Sequence, residues 1–112
     1  RIPSSIGWGQ MITKTAEVSA GLWNEEFLSW GAEDCEFYYR LNLFGFKVGR
    51  VIDDIYHFEH GRTFNSHYHN PKFQDNDRLW NWIRTQDKES LTQYYAKLDY
   101  IKRRGKELNA SL

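Results

Sequence analysis

Net charge, long apolar runs and cysteine are scarce in this sequence, and each scarcity excludes a class of protein. Its 112 residues carry 15 basic and 15 acidic side chains, so no excess positive charge favours nucleic acid or an anionic membrane as a partner. No apolar run approaches the roughly 20 residues of a membrane-spanning helix, so we expect no transmembrane segment in this chain. The single cysteine, Cys35, argues against a disulfide-stabilised secreted fold and favours a cytoplasmic protein.

Aromatic residues, by contrast, are abundant: they make up 17 % of the sequence and include five tryptophans. Exposed rings often stack on sugars or bases, but large rings also build ordinary hydrophobic cores. Composition therefore leaves both a glycan-binding surface and a ring-rich core open. A chain of this length can form one core.

Three short segments have the residue alternation of β-strands, namely residues 5–12, 46–52 and 55–59. Together with four predicted helices they give the order strand, helix, helix, strand, strand, helix, helix. We therefore predict an α/β fold with an incomplete sheet and flanking helices.

The helices are predicted from caps and from 3.6-residue spacing. Thr13 and Gly21 are residue types that begin and end a short helix, and an irregular loop follows over residues 22–32. The second helix is predicted from Ala32 or Glu33 to Gly45. Its apolar residues fall on one face: Phe37, Leu41 and Phe44. Two further helices are predicted near residues 78–85 and 89–108.

Three carboxylates, those of Glu33, Asp34 and Glu36, lie close together at the predicted start of the second helix. Negative charge stabilises a helix N-terminus, but one or two acids would suffice. Helical geometry places Asp34 at the rim of the apolar face, where a partly desolvated carboxylate can accept a proton. Stabilisation of the helix start is the alternative role, and the residue pattern alone favours it.

Four histidines fall within thirteen residues, at positions 57, 60, 67 and 69. His57 and His60 could hold one metal ion if the chain turns between them, and imidazole suits zinc- and manganese-type ions. Arg62 could contact a phosphate. No spacing here matches a structural zinc motif, so the pattern leaves metal binding open.

The chain resembles the GT-A glycosyltransferases in two stretches, GLWNEEFLSWGAEDCEFYYRLNLFGFKVGR at 21–50 and HFEHGR at 57–62. The resemblance is greatest to the β-1,4-galactosyltransferases and the bacterial chondroitin-polymerase-like transferases, and it covers about residues 5–73. It implies the C-terminal catalytic segment of an enzyme that moves a sugar from a nucleotide-sugar donor, a UDP-sugar, to a glycan hydroxyl with inversion.

The resemblance also implies catalytic and acceptor-binding roles. Asp34 matches the general base that takes the proton from the attacking hydroxyl, and Glu33 matches a residue that contacts or orients the acceptor. Trp30 matches the tryptophan of a mobile loop that closes over donor and acceptor, and Gly31 would be its hinge. Asn70-Pro71 and Phe73 match a stretch that lines the acceptor pocket, one residue shorter here than in the family.

The resemblance places the remaining contacts on the donor side. His60 matches a ligand of a divalent cation, Mn²⁺ or Mg²⁺, and His57 matches a weaker ligand of the same ion. Arg62 matches a basic residue near the donor phosphates. A base, a cation on the leaving diphosphate and a lid that excludes water are what transfer from a nucleotide sugar requires.

Two features depart from the family pattern. Ala32 stands where the family has a second glycine, a small change that should leave the turn intact. No Asp-x-Asp motif, which in the family holds the metal and the diphosphate, precedes the segment, and the chain opens on Arg1. We therefore expect the nucleotide-binding half to be absent from this chain, and these 112 residues alone to be inactive.

Two other functions stay open, a non-catalytic carbohydrate-binding or interaction module and a small metal-binding protein that uses the histidines. For the resting chain we also expect residues 22–32 and 60–74 to be the least ordered, with nothing fixing the ring of Trp30.

Overall fold

The computed structural model describes residues 10–51, 56 and 70–110 of the chain. The regular structure of this part consists of five helices: α1 (Lys14–Ala20), α2 (Glu33–Leu43), α3 (Phe73–Ile83), α4 (Lys88–Ala96) and α5 (Asp99–Ala110). α1 packs against α5 and α2, α2 also contacts α3, and α4 contacts α5. None of these five helices combines the length and the apolar character that crossing a bilayer requires.

The prediction of an α/β fold with a sheet is wrong, because the described residues contain helices and no strand. Residues 10–12 and 46–51, which belong to two of the predicted strands, are irregular. The third predicted strand lies outside the described residues apart from Tyr56. A strand needs a neighbour that pairs its backbone groups, and alternation in the sequence does not supply one. Val51 is accordingly 86 % exposed.

α1 begins and ends where its caps predict. The Thr13 hydroxyl oxygen accepts a hydrogen bond from the Ala16 N–H at 3.2 Å. At the other end Gly21 adopts a φ of +77° and its N–H donates to the Glu17 carbonyl at 2.8 Å. This φ favours glycine, so the local sequence defines both ends of the helix.

Two glycines allow α1 and α5 to approach closely. A Cβ on Gly21 would lie 1.6 Å from the carbonyl oxygen of Ile101, and one on Gly105 would lie 2.6 Å from the carbonyl oxygen of Glu17. Both obstacles are backbone atoms, which cannot rotate away. The absence of a side chain at these two positions therefore sets the distance between the two helices.

The core has two parts. One cluster of buried side chains comes from the loop before α2, from α3 and from the two C-terminal helices: Phe27, Ile83, Leu91, Tyr95, Leu98 and Ile101. The other joins α1 to α2: Ala16, Ala20, Phe37 and Leu41. The predicted apolar face of the second helix is confirmed at Phe37 and Leu41, which are buried, and Phe44 packs against both clusters.

The last two predicted helices have different bounds in the structure. α3 begins at Phe73, earlier than predicted, and the helix predicted over 89–108 is divided into α4 and α5. At the break the N–H of Leu98 donates to the Tyr95 carbonyl at 3.1 Å, three residues back. Leu91, Tyr95 and Leu98 are all buried, so the apolar spacing continues across the break and conceals it in the sequence.

Candidate functional site

The first carboxylate of the α2 start, Glu33, fixes the loop that precedes the helix. Its Oε2 accepts a hydrogen bond from the N–H of Gly31 at 3.0 Å. The N-cap of α2 is Ala32, whose methyl side chain cannot accept a hydrogen bond. Glu33 therefore supplies the acceptor for one backbone N–H of the turn. The position of Gly31 beside the helix start thus depends on Glu33.

Glu36, the third carboxylate, is a structural residue. It is fully buried, and its Oε1 accepts hydrogen bonds from Arg40 Nε at 2.9 Å and from the Tyr95 hydroxyl at 2.8 Å. Burial raises the pKa of Tyr95, which keeps this hydroxyl protonated as a donor. The guanidinium of Arg40, also fully buried, donates in addition to the carbonyls of Ala20 and Leu22. This carboxylate is therefore committed to the core.

Asp34, the second carboxylate, has surroundings that differ from those of Glu33 and Glu36. It is partly buried in the first turn of α2, and its Oδ1 accepts a hydrogen bond from Gln10 Nε2 at 3.1 Å. Burial raises the pKa of the Asp34 carboxyl above its ordinary value, and the charge of Glu33 raises it further. The hydrogen bond from Gln10 acts in the opposite direction. A carboxylate in such surroundings is a stronger base than a solvated one.

Three buried asparagines hold the loop over residues 22–32. Asn76, on α3, donates to the Leu28 carbonyl at 2.8 Å and accepts from the Leu28 N–H at 3.1 Å. Asn70 donates to the Trp30 carbonyl at 2.9 Å. Asn24, within the loop, donates to the Tyr94 hydroxyl at 3.0 Å. Side-chain amides thus pair the backbone groups of a segment that has no regular structure.

The ring of Trp30 stacks on the ring of Phe73 at the start of α3. The ring centroids are 5.7 Å apart with an interplanar angle of 18°. The expectation that nothing fixes the Trp30 ring is therefore wrong. Trp30 is still 41 % exposed, so one aromatic surface remains open to solvent next to the first turn of α2. Such a surface suits the apolar face of a sugar ring.

The turn between Trp30 and α2 has an unusual backbone. Gly31 has a φ of +134°, and both Ser29 and Ala32 have a φ of +65° although they are not glycines. The backbone angle at Gly31 favours glycine, and a Cβ there would lie 3.1 Å from the Phe73 ring, a tight contact that the ring would have to relieve by a small shift. Ala32 adopts the left-handed conformation in which glycine is favoured, so alanine is compatible with this turn. Positive φ at non-glycine residues is concentrated at functional sites.

The predicted metal-binding and phosphate-binding residues, His57, His60 and Arg62, lie outside the described residues. Within residues 10–51, 56 and 70–110, no group of three His, Cys, Asp or Glu side chains is arranged to hold a metal ion. The metal site therefore stays a prediction.

The letters Asp-x-Asp do occur later in the chain, at Asp75-Asn76-Asp77. The structure gives them another role. Asp75 lies 3.2 Å from the Arg78 guanidinium and Asp77 accepts a hydrogen bond from Asn81 at 3.1 Å, both on the exposed side of α3. Asn76 points to the loop instead. This triplet belongs to helix α3 and follows the segment, so it does not supply the missing motif.

Sequence reasoning missed several residues that shape the site. The alternation around Gln10 predicts only a strand, the resemblance places Asn70 in the acceptor-lining stretch without its bond to Trp30, and the bonds of Asn76 to the loop have no local signal. Glu36 and Arg40 had one, since an acid and a base four residues apart can pair along a helix. Each member of the pair directly precedes a core residue of α2, Phe37 or Leu41, and this proximity could have indicated that the pair is buried.

Comparison with known proteins identifies a family for the segment that contains most of these residues. A family model described as the N-terminal domain of galactosyltransferase matches residues 5–61, just over half of the chain. The chain therefore belongs to this galactosyltransferase family, and it is of the glycosyltransferase kind. No curated protein and no solved structure gives a match.

The matched segment contains most of the predicted site: Trp30, Gly31, Glu33, Asp34, His57 and His60. Arg62 and Phe73 lie beyond it. The description speaks of an N-terminal domain, whereas the resemblance drawn from the motifs implies a C-terminal segment. The position of these residues within a longer enzyme stays a prediction.

Proposed function

We propose that this chain is the acceptor-side segment of a hexosyltransferase in which Asp34 is the general base. The observation that carries the proposal is the environment of Asp34, a partly buried carboxylate of raised pKa beside the Trp30 turn and inside the matched segment. The donor would be a nucleotide-sugar, specifically a UDP-sugar, and the acceptor a glycan hydroxyl.

The reaction transfers one proton and releases one leaving group. The acceptor hydroxyl oxygen attacks the anomeric carbon of the donor sugar, and the bond from that carbon to the diphosphate oxygen breaks. The hydroxyl proton passes to Asp34, and the nucleoside diphosphate leaves with the bonding electrons. A single base on the acceptor side favours inversion at the anomeric carbon.

The aromatic turn would bind the sugar. Trp30 presents a ring supported by Phe73, and Gly31, the next residue, also lies against the Phe73 ring. Glu33 holds the Gly31 N–H, so its contribution to acceptor binding would include setting the position of the turn. These contacts support an acceptor-binding turn that is already held in place three residues before Asp34.

Metal dependence rests on the resemblance. A Mn²⁺ or Mg²⁺ ion held by His60, with His57 as a weaker ligand, would neutralise charge on the leaving diphosphate, and Arg62 would contact its phosphates. The proposal places the nucleotide-binding half outside these residues, and it keeps the expected cytoplasmic location and the likeness to chondroitin-polymerase-like transferases as predictions.

The test is Asp34→Asn in an enzyme that joins this segment to a nucleotide-binding half. Asparagine keeps the shape of the side chain but is not a base, so we expect turnover to fall by about 100-fold or more. The KM for the donor should change little. Asp77→Asn is the matched control, since Asp77 is exposed on α3, and it should keep full turnover.

A non-catalytic carbohydrate-binding module is the second candidate, and the exposed Trp30 surface is the observation in its favour. The same variants separate the two functions. A binding module would retain glycan affinity in Asp34→Asn and show no transfer in the parent protein. Turnover within a few-fold of the parent in Asp34→Asn would instead remove Asp34 from the catalytic role.

A further inference from the structure

We propose that Gln10 is a positioning residue for Asp34: its side-chain amide holds one carboxylate oxygen, so that the other faces the acceptor hydroxyl. The inference rests on the proposed function of Asp34 and extends it to a residue 24 positions away in the chain. Gln10 lies within the matched segment, just before α1.

The contact itself is specific. Gln10 Nε2 donates to Asp34 Oδ1 at 3.1 Å, and both side chains are partly buried. An amide N–H can only donate, so this bond forms with the acceptor oxygens of the carboxylate and restricts rotation of the carboxyl group. A catalytic base must be held in reach of the proton that it takes, and small displacements reduce the rate.

The same contact is electrostatic, because donation from a neutral amide favours the charged form of the carboxyl group. Burial and the charge of Glu33 raise the pKa of Asp34, and the hydrogen bond from Gln10 lowers it. Gln10 therefore keeps a larger fraction of Asp34 ionised at a given pH than burial alone would allow.

Two cations carried by the helices that pack against α2 contact groups other than Asp34. On α1 Lys14 pairs with Glu17 at 3.3 Å. At the C-terminal end of α3 the Arg84 guanidinium lies over the Trp80 ring, 6.0 Å from its centroid. Its positive charge acts to lower the pKa of the Cys35 thiol.

Cys35 follows Asp34 directly. Burial, followed by the charges of Asp34 and Glu33, raises the pKa of its thiol above the ordinary value of 9.0. The thiol therefore stays uncharged near neutral pH, and it adds no charge that would compete with Gln10 at Asp34.

Three substitutions at Gln10 separate this role from simple packing. Gln10→Leu keeps a similar volume and removes the donor, Gln10→Glu places a second negative charge beside Asp34, and Gln10→Lys supplies a charged donor. Site-resolved ¹³C NMR titration of the Asp34 carboxyl in the 112-residue chain gives its pKa in each variant. We expect the Asp34 pKa to rise in Gln10→Leu, to rise further in Gln10→Glu, and to fall in Gln10→Lys.

Activity supplies the second measurement, in the same joined enzyme used for Asp34→Asn. Gln10→Leu should lower kcat by about fivefold at pH values on the acidic limb of the pH–rate profile, the equivalent of one ordinary hydrogen bond. The donor KM should not change, and the acidic limb should move to higher pH. Gln93→Leu, an exposed glutamine on α4, is the matched control and should leave the profile where it is.

The outcomes distinguish the two proposals. An Asp34 pKa that does not respond to Gln10→Leu and Gln10→Lys overturns the inference, whatever the enzyme does. An Asp34 pKa that responds as expected, in an enzyme that keeps its turnover in Asp34→Asn, overturns the proposed function instead. Gln10→Lys keeps the test decisive if Gln10→Leu does not fold, since it retains a donor at the same position.

Discussion

Asp34 and Glu36 lie two residues apart on α2, yet burial and partners give them different chemistry. Glu36 is fully buried, and its Oε1 is shared by two donors from Arg40 and Tyr95. Asp34 is partly buried, has one neutral donor and lies next to Glu33. The first arrangement fixes a fold, whereas the second leaves a carboxylate able to exchange a proton.

A residue-scale prediction follows from the raised pKa of Asp34. A carboxyl with a raised pKa binds a proton more readily in the folded chain than in the unfolded chain. Stability therefore falls as pH rises from the ordinary value of 3.8 through the raised pKa. Asp34→Asn removes this ionisation. We expect the variant to have a higher Tm than the parent at pH 7 and the same Tm at pH 3.

Thermal unfolding followed by circular dichroism at the two pH values measures this difference. Asp77→Asn serves as the control, because Asp77 is exposed and a surface substitution should change the Tm little at either pH. A lower Tm for Asp34→Asn at pH 7 would mean that the Asp34 charge stabilises the helix start and has no energetic cost.

At the scale of elements, α3 acts on the site through the loop before α2. The side-chain amide of Asn76 donates to the Leu28 carbonyl and accepts from the Leu28 N–H. Asn70, just before α3, donates to the Trp30 carbonyl. Phe73, the first residue of α3, supports the Trp30 ring. The turn that presents Trp30 is thus shaped by a helix more than 40 residues further along the chain.

Asn76→Leu should therefore loosen the loop. The substitution leaves the N–H and carbonyl of Leu28 without their partners, and each unpaired group costs about 1–3 kcal/mol where it is buried. We expect the free energy of unfolding to fall by about 3 kcal/mol, and the fluorescence of Trp30 to shift toward that of a solvated ring.

Asn81→Leu is the matched control, on the same helix. Among the described residues the Asn81 side chain bonds to the exposed side chains of Asp77 and Arg84, so its loss should cost less than about 1 kcal/mol. Urea denaturation gives both values. A cost at Asn76 as small as that at Asn81 would show that the loop does not depend on this amide.

At the scale of the molecule, Arg40 joins three parts of the structure. Its guanidinium donates to carbonyls at the end of α1 and in the following loop, and it pairs with Glu36 on its own helix. Through Glu36 it is connected to Tyr95 on α4. A single buried cation thus holds together the helices that flank the site.

Arg40→Leu should lower the free energy of unfolding by about 3–5 kcal/mol, because it leaves the Glu36 carboxylate buried without its cation. Domains have about 5–15 kcal/mol of stability in total, so the variant should be close to unfolding. Arg103→Leu, which removes an exposed pair with Glu107, should cost less than about 1 kcal/mol. Urea denaturation measures the loss of unfolding free energy in both variants, and equal losses would contradict this account.

Features with local causes can be predicted from the amino-acid sequence alone. Thr13 and Gly21 define α1 because caps act within a few residues, and the apolar spacing of α2 identifies Phe37 and Leu41 as core positions. Several separate motifs, in their order and spacing along the chain, also indicated a galactosyltransferase-like segment, and the family match confirms this.

Features that depend on partners far away in the chain become visible only in the tertiary structure. Alternation predicted strands, but strand formation needs a neighbouring strand, and the described residues form helices only. The three acids look alike in sequence, and only packing brings Tyr95 to Glu36 and Gln10 to Asp34. Hydrogen bonds and burial across 24 to 59 residues have no signature in local composition, which is why the chemistry of the site emerges only from the folded chain.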